Sequence, residues 1–226
     1  MKLANNHVLI LLPVFNESKV IFSVIKSIKK EGWKNILVVD DGSTDNTYNE
    51  AKKSGVIILK HITNRGKGAA VKTGLEAAKK LGSEIVVTLD SDGQHNPKDI
   101  KKMVGQIKRG CDVVLGIRDF KKRHIPRYKV FVNYLGNILT WMFYGLWVKD
   151  SQSGFRAYNK KAVRLIQTNN DRYEFESEIV REIVRNNLKW TEKIIDVRYS
   201  DYDQNKKNKQ SLSSAIKTII KLALFG

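Results

Sequence analysis

The feature that most constrains the fold of this chain is a regular alternation of apolar runs and amphipathic stretches through its first half. The apolar runs are short, rich in β-branched residues and bounded by turn-forming residues, which predicts buried strands. We predict strands over residues 8–12, 35–39, 56–61, 84–89 and 112–116, and helices over residues 17–30, 44–54, 68–81 and 97–109. This alternation is typical of an α/β fold whose mostly parallel sheet carries helices on both faces.

Polar residues follow each predicted strand at the point where the strand ends. The strand ends lead into residues 13–17, 40–43, 64–68, 90–92 and 116–118. Because ligands of open α/β sheets bind beyond the carboxyl ends of the strands, we expect these acidic and basic groups to share one edge. Each segment alone is consistent with a capped turn, but their convergence favours a binding site.

The most informative of these segments is the pair Asp90 and Asp92, separated by Ser91. In an extended chain, residues two apart point to the same side, so both carboxylates would face one ligand. Two carboxylates at a buried strand end repel each other and lose hydration unless a cation neutralises them. A hard divalent ion that also holds phosphate oxygens would do so. The alternative is a turn that caps the helix after Pro97.

The net charge of the chain is +18, from 41 Lys and Arg against 23 Asp and Glu. A field of this sign attracts polyanions such as nucleic acid, nucleotide diphosphates or an anionic lipid surface. Nucleic acid is not favoured, because aromatic residues are not interleaved with the basic ones and no nucleic-acid-binding motif is visible. The non-enzymatic alternative is a basic nucleotide- or nucleic-acid-binding module, which would not require both carboxylates.

Five motifs of this sequence, in their order and spacing, resemble those of family 2 glycosyltransferases with the GT-A fold. They are LPVFNE at residues 12–17, VVDDGSTD at 38–45, NRGKG at 64–68, DSDGQH at 90–95 and DSQSGFR at 150–156. The similarity covers roughly residues 8–160 and is greatest to polyprenyl- or dolichyl-phosphate mannosyl- and glucosyltransferases. It implies a Rossmann-like GT-A fold, in which a mostly parallel central sheet has helices on both faces.

The resemblance implies a nucleotide-sugar site at the strand ends. A carboxylate there can accept a base N–H or a ribose hydroxyl, and a lysine can offset diphosphate charge. The residues expected to bind the donor nucleotide are Pro13, Phe15, Glu17, Asp40, Asp41, Lys67, Asp90, Ser91 and Arg198. The implied cofactor is Mg²⁺ or Mn²⁺, held by Asp90, Asp92 and Gln94.

The same resemblance places the acceptor in the second half of the chain. A lipid phosphate is already anionic near neutral pH and needs cations, whereas a hydroxyl acceptor needs a general base. The residues expected at an acceptor phosphate are Arg118, Arg127, Ser153 and Arg156. Asp150 is the candidate base for a hydroxyl acceptor. The residues assigned to catalysis are Asp92, Arg127, Asp150 and Arg156.

The resemblance implies an inverting, metal-dependent hexosyltransferase. It would move a hexose from a nucleotide sugar of GDP-mannose or UDP-glucose type to a polyprenyl or dolichyl phosphate at a membrane surface. The enzymatic alternative is transfer to a sugar hydroxyl in glycan or polysaccharide synthesis. Chain polymerisation is not favoured, because the Gln-x-x-Arg-Trp motif of the processive branch is absent. Nucleotidyl transfer is not favoured either, because residues 13–17 are not the glycine-rich loop it needs.

An apolar stretch over residues 130–148 follows a basic cluster at residues 121–127. Asn133, Asn137 and Thr140 recur in it at helical spacing, so a helix would have a polar line on an apolar surface. The stretch is too interrupted to span a bilayer, which favours an interfacial helix on an anionic membrane. The alternative is a helix buried in the core.

We expect residues 1–226 to form one domain. Its parts would be a nucleotide-sugar-binding half at residues 1–118, an acceptor half at 119–210 and a C-terminal amphipathic helix at 211–226. Cys111 is the sole cysteine, so no disulfide can form within the chain, which is typical of a reducing compartment. The expected location is therefore cytoplasmic, peripheral on the inner face of the cell membrane.

Overall fold

The computed structural model describes residues 7–119, 127–168, 171 and 175–197, and within them seven strands form one sheet. The strands are β1 (Val8–Val14), β2 (Ile36–Asp40), β3 (Ile57–Lys60), β4 (Ile85–Thr88), β5 (Val113–Arg118), β6 (Arg156–Asn159) and β7 (Trp190–Ile195). The helices are α1 (Ile21–Lys30), α2 (Thr47–Lys52), α3 (Lys67–Lys80), α4 (Asp99–Lys108), α5 (Arg127–Tyr144), α6 (Lys160–Leu165) and α7 (Phe175–Arg185). The strand order is β3-β2-β1-β4-β6-β5-β7. β2 and β3 lie on one side of β1 and β4 lies on the other, so the order in which strands are added switches between β1 and β4. Open α/β sheets bind ligands at such a switch point.

The sheet is mixed but mostly parallel, as the sequence predicts. β1 pairs in parallel with β2 and β4, β2 with β3, and β5 with β7. Among the described strands only β6 is antiparallel, and it lies between β4 and β5. The sequence analysis did not predict β6, because its four residues are too few to show a period.

The reversed direction of β6 brings the preceding segment to the functional edge of the sheet. Arg156, the first residue of β6, is paired with Thr88 of β4 and with Leu115 of β5. The Thr88 hydroxyl also donates to the Gly154 carbonyl at 2.8 Å. Residues 150–155 therefore lie beside the carboxyl ends of β4 and β5.

Two apolar layers cover the two faces of the sheet. Alternate residues of β1 belong to opposite layers, Ile10 and Leu12 to one and Leu9 and Leu11 to the other. Buried residues of α1 and α4 complete the first layer, and those of α3, α6 and α7 complete the second. The prediction of helices on both faces is therefore confirmed.

The first loop at the functional edge is longer than the sequence predicts. α1 begins at Ile21 rather than at residue 17. Asn16 adopts a left-handed φ of 54°. Its backbone N–H donates to Ser43 Oγ at 3.0 Å, and its side-chain Oδ1 accepts the Thr44 backbone N–H at 2.9 Å. Because Asn16 joins the loops after β1 and β2 instead of capping the helix, the segment before α1 stays at the edge of the sheet.

The polar line of α5 points inward. Asn133 and Asn137 are buried, and their side-chain amides donate to the Lys149 carbonyl at 3.1 and 2.7 Å. Trp141 and Met142 are 51% and 65% exposed. No helix in the described ranges is both long enough and apolar enough to cross a membrane.

Several predictions fall outside the described residues. These are the helix at 211–226, Arg198, and residues 121–126 of the basic cluster. Arg127 is the first residue of α5, but its side chain is not among those described. The division of the chain into a donor half and an acceptor half stays a prediction.

We expect Gly74→Ala in α3 to destabilise the fold. An added Cβ would lie 2.2 Å from Leu11 Cδ1, and Leu11 is fully buried in the core. Gly105→Ala in α4 is the matched control, because its Cβ would meet nothing within 4 Å. Both variants gain the same helix propensity. Urea denaturation should therefore show that Gly74→Ala is less stable than Gly105→Ala by about 1–3 kcal/mol. Equal unfolding free energies would contradict the close packing of α3 on β1.

Candidate active site

A cleft of about 530 Å³ opens at the carboxyl ends of β1, β2 and β4. Ligand pockets typically have volumes of roughly 300–1,000 Å³, so the cleft is large enough for a nucleotide. The predicted site residues that line it are Pro13, Phe15, Glu17, Asp41, Lys67, Asp90, Ser91 and Asp92. The structure therefore brings together most of the residues predicted for the donor nucleotide.

Asp40, at the end of β2, is not among the residues that line this cleft. It is fully buried, and its Oδ1 accepts the Ser43 amide at 2.9 Å. Its Oδ2 has no hydrogen-bond donor among the described residues. A buried carboxylate oxygen without a donor is unfavourable, which fits a donor supplied by a ligand. The contact of Asp40 with a nucleoside stays a prediction.

Asp41 holds together the loop that precedes α3. Its carboxylate accepts from His61 Nδ1 at 2.7 Å and from the backbone amides of residues 65–66 at 3.1 and 2.7 Å. The other ring nitrogen of His61 lies 2.9 Å from Thr73 Oγ1. Because α3 begins with Lys67 directly after this loop, Asp41 both lines the cleft and positions another residue of its wall.

Lys67 joins carboxylates from two distant parts of the chain. Its Nζ lies 2.6 Å from Asp90 Oδ1 and 2.8 Å from Oε1 of Glu176 in the first turn of α7. The ammonium therefore makes a short, charge-assisted contact with each carboxylate, and Glu176 is the more deeply buried of the two partners. Gly154 packs against both, because an added Cβ would lie 2.4 Å from Asp90 Oδ1 and 2.5 Å from Lys67 Nζ. Among the amino acids only glycine fits there without moving the pair.

The ionisable groups of Lys67, Asp90 and Glu176 shift one another's pKa. Burial alone would raise the pKa of Asp90, but the neighbouring cations, above all Lys67, lower it to about 2. Burial alone would lower the pKa of Lys67, but Asp90 and Glu176 raise it. Burial raises the pKa of Glu176 by more than Lys67 lowers it. At neutral pH, Asp90 is therefore a carboxylate and Lys67 an ammonium.

Short-range hydrogen bonds order the loop after β4. Asp92 accepts from the Gln94 backbone amide at 3.0 Å and from Gln94 Nε2 at 2.8 Å. His95 Nδ1 accepts the Asp90 amide at 3.2 Å, and its ring lies 5.2 Å from that of Phe155. Burial lowers the pKa of His95, which keeps Nδ1 unprotonated and able to accept. Gln94 acts on Asp92 here, and its contact with a metal stays a prediction.

Asp150, the candidate base, is buried and paired with Arg118. Arg118 Nε donates to Asp150 Oδ2 at 2.7 Å, and its Nη2 donates to Oδ1 at 2.8 Å. The Arg118 backbone amide also donates to Oδ2, at 3.1 Å. Both oxygens of Asp150 therefore face donors, which does not favour removal of a proton from a hydroxyl. The structure brings the two residues together, while their roles toward an acceptor stay predictions.

Arg156 positions the acceptor-side loop. It is 2% exposed, and its guanidinium donates to the carbonyls of Ser153, Ser151 and Glu176 at 2.9, 2.6 and 2.9 Å. These bonds fix residues 151–153 to the first turn of α7. The Ser153 hydroxyl is buried and has no hydrogen-bond partner among the described residues. Direct contacts of Arg156 and Ser153 with an acceptor phosphate stay predictions.

Comparison with known protein families agrees with this geometry. Residues 9–166 match the family model described as glycosyl transferase family 2. The chain belongs to this family. The resemblance inferred from the five sequence motifs is therefore confirmed.

This glycosyltransferase also has similar relatives along most of its length. It is 40% identical over 207 residues to an uncharacterized protein of Methanocaldococcus jannaschii, with 89% of this chain and 85% of that protein covered. It is 35% identical over 225 residues to the UDP-N-acetylglucosamine–dolichyl-phosphate N-acetylglucosaminyltransferase of Methanococcus voltae, with 88% and 89% covered.

A solved structure confirms the GT-A fold of this glycosyltransferase. Glucosyl-3-phosphoglycerate synthase from Mycobacterium tuberculosis, in complex with Mn²⁺, UDP and glucosyl-3-phosphoglycerate, matches it with a TM-score of 0.73. The match covers 97% of this chain and 79% of that one, at 21% identity. At this identity the likeness concerns the fold alone.

The residues of the cleft fit a divalent ion. Among the described residues, no group of three or more His, Cys, Asp or Glu is arranged to enclose a metal. Mg²⁺ does not require such a group, because it binds through one or two carboxylates together with substrate phosphates. Asp90 and Asp92 line the same cleft, and the charge of Asp90 is offset there by the cation of Lys67. The two carboxylates of this glycosyltransferase therefore suit an ion shared with a diphosphate.

Sequence reasoning missed three residues of this site. Glu176 is 109 positions from Lys67 along the chain, so no local pattern connects them. His95 belongs to a recognised motif, but its bond to the Asp90 amide depends on the turn between them. His61 follows β3 at the functional edge, and that position was a usable signal.

We expect Asp41→Asn to lower the free energy of unfolding by about 1–3 kcal/mol, because the new amide group would face donors that a carboxylate accepts. Asp171→Asn is the matched control: Asp171 pairs with Arg65 of this loop at 3.4 Å, and their side chains are 38% and 57% exposed. Loss of this ion pair should change the free energy of unfolding by only about 0–1 kcal/mol. Urea denaturation measures both. Unchanged stability of Asp41→Asn would show that Asp41 does not hold the loop.

Proposed function

We propose that this glycosyltransferase moves a sugar from a nucleotide diphosphate sugar to a polyprenyl or dolichyl phosphate, with inversion at the anomeric carbon. The observation that carries the proposal is the cleft in which Lys67, Asp90 and Asp92 lie together. A diphosphate needs cations, and a carboxylate pair needs a divalent ion. A diphosphate with its metal therefore matches both kinds of group in the wall of the cleft.

The donor nucleotide would occupy the cleft with its nucleoside near residues 13–17 and its diphosphate near Lys67. Arg198 is the further cation predicted for the diphosphate. It follows Val197, which pairs with His95 in the loop after β4. The name of the Methanococcus voltae relative supports UDP-N-acetylglucosamine as a donor to test beside UDP-glucose and GDP-mannose.

The metal-binding residues would act on the leaving group. Bound Mg²⁺ or Mn²⁺ supplies a Lewis acid that stabilises the departing nucleoside diphosphate. Asp90 and Asp92 would hold the ion, with Gln94 as the third predicted ligand. Lys67 places a further positive charge at the same wall of the cleft, where charge develops as the bond to the sugar breaks.

The acceptor side supports a phosphate rather than a hydroxyl. Asp150 accepts from Arg118 through both oxygens, which supports an acceptor that needs no general base. A lipid phosphate oxygen is already anionic and can attack the anomeric carbon in line with the departing diphosphate. This attack gives a β-linked sugar from an α-linked donor. Arg118 is 24% exposed and would contact that phosphate, with Arg127 as the second cation.

The decisive experiment is a transfer assay with purified protein and radiolabelled UDP-N-acetylglucosamine, UDP-glucose or GDP-mannose. One donor should label polyprenyl phosphate in the presence of Mg²⁺ or Mn²⁺, and excess EDTA should abolish the labelling. Asp92→Asn should lower kcat/KM by at least about a hundredfold, because it removes a ligand of the ion.

Asp171→Asn serves as the control for this assay and should stay within about threefold of the wild type, since Asp171 pairs at the surface. Full turnover in excess EDTA would overturn the metal dependence. Labelling of glycan hydroxyls but not of polyprenyl phosphate would replace the proposed acceptor with the glycan alternative.

We also infer that the protein lies on the inner face of the cell membrane through α5 and the turn that follows it. Tyr134, Trp141, Met142, Phe143 and Trp147 are between 37% and 65% exposed, and we call them the aromatic face. The rings of Tyr134 and Trp147 pack edge to face, 6.1 Å apart. Aromatic side chains favour the membrane interface, and the basic cluster at residues 121–127 precedes this helix.

We expect Trp141→Ser/Trp147→Ser to weaken binding to vesicles that contain phosphatidylglycerol by at least about tenfold, since two interfacial aromatic side chains are lost. Ile62→Ser is the control, because Ile62 is 100% exposed after β3, away from the aromatic face. Changing Lys121, Lys122 and Arg123 to Glu should weaken binding at low salt, by about 1 kcal/mol for each cation removed. Sedimentation with the vesicles measures the bound fraction of each variant. Equal binding of the tryptophan variant and its control would refute this orientation.

A further inference from the structure

We propose that Lys67 is an internal counter-cation that leaves Asp90 when a nucleoside diphosphate binds, so that the nucleotide and the divalent ion bind cooperatively. The ammonium occupies the position beside Asp90 Oδ1 that a metal would need. The inference rests on the proposed use of a nucleotide sugar with a divalent ion, and it concerns how the empty site is kept neutral.

The two contacts of Lys67 are unequal in exposure. Nζ is hydrogen-bonded to Glu176 Oε1 at 2.8 Å, and Glu176 is 4% exposed. Nζ lies closer to Asp90 Oδ1, at 2.6 Å, but the Asp90 side chain is 29% exposed and lines the cleft. The contact with Asp90 is therefore the one that a ligand in the cleft can reach and replace.

The ammonium and a divalent ion cannot share Asp90 Oδ1 without strong repulsion. A metal ligated by that oxygen would lie about 2.0–2.1 Å from it. The ammonium already lies 2.6 Å from the same atom. Two cations on one oxygen repel in a partly buried site, so binding of the metal favours movement of the lysine.

The cleft offers room for that movement. Gly154 lies against Lys67 and Asp90 so closely that even a methyl group would meet both. Lys67 also lines the cleft, and its side chain is 24% exposed. A bound diphosphate would lie in that direction and supply the anion that the lysine loses. Glu176 would keep the ammonium within reach after it leaves Asp90.

Cooperative binding follows from this exchange. A diphosphate that binds the Lys67 ammonium in place of Asp90 raises the affinity of Asp90 for the metal. By linkage, the metal raises the affinity for the diphosphate by the same factor. Without a nucleotide, Lys67 keeps Asp90 neutralised and the metal has a competitor. The lysine therefore acts as a positioning residue that couples the two ligands.

The test is a titration of the full chain with Mn²⁺, followed by electron paramagnetic resonance of the free ion, with and without saturating UDP or GDP. The affinity of Mn²⁺ for free nucleotide is measured separately and included. In the wild type, the nucleotide should raise the affinity for Mn²⁺ at least about tenfold. In Lys67→Met, the affinity without nucleotide should rise at least about tenfold, and the coupling factor should fall below that of the wild type, with the remaining coupling coming from direct contact between the ion and the diphosphate.

Arg65→Met is the matched control, because it removes one positive charge from the loop next to Lys67 and leaves the Lys67–Asp90 pair in place. A long-range charge effect changes both Mn²⁺ affinities alike, so its coupling factor should equal that of the wild type. The double variant Lys67→Met/Glu176→Gln removes the buried carboxylate that Lys67→Met leaves unpaired. It should repeat the result if the single variant does not fold.

Two outcomes overturn the inference. Lys67→Met with unchanged or weaker Mn²⁺ binding in the absence of nucleotide would show that the ammonium is not a competitor, while the proposed transfer reaction would stand. A wild-type protein that binds no Mn²⁺ even with nucleotide would overturn the inference together with the proposed metal dependence.

Discussion

Buried negative charge at one edge of the sheet is the constraint on which this site depends. A carboxylate removed from water is unfavourable unless donors or cations surround it. Asp41 has a histidine and two backbone amides, Asp150 has a guanidinium, and Asp90 has an ammonium. The first two are fixed by aligned hydrogen bonds. The third depends on a flexible side chain, which makes Asp90 the carboxylate whose partner can be exchanged.

The reversed strand β6 joins the two halves of the site. In a fully parallel sheet the segment before a strand would lie at the opposite edge from the ligands. Because β6 runs the other way, residues 150–155 reach the carboxyl ends of β4 and β5. Arg156 then ties this segment to α7, and α7 supplies Glu176. One antiparallel strand thus brings donor-side and acceptor-side residues to a common wall.

The sequence predicted those parts of the site that follow from local pattern. Apolar runs located the strands, and the edge rule for parallel sheets located Asp41, Lys67, Asp90 and Asp92 together. The sequence did not reveal which side chains of the site form pairs. Glu176 meets Lys67 only after α7 has packed on the sheet, and Asp150 meets Arg118 across 32 positions. The resemblance placed Arg156 at an acceptor phosphate, and the bonds of its guanidinium to three carbonyls of the protein were not predicted.

The two unlike sides of α5 have a consequence for how the enzyme would work on a surface. Its inward asparagines bond to the Lys149 carbonyl, and Asn137 also accepts the Ser151 amide at 3.0 Å. Asp150, between those residues, holds the guanidinium of Arg118. A helix resting on lipid through its aromatic face would therefore set the tilt and height of the catalytic cleft above the bilayer. The reach of a lipid headgroup into the cleft would then be fixed by the rigid geometry of one helix rather than by diffusion of a loop.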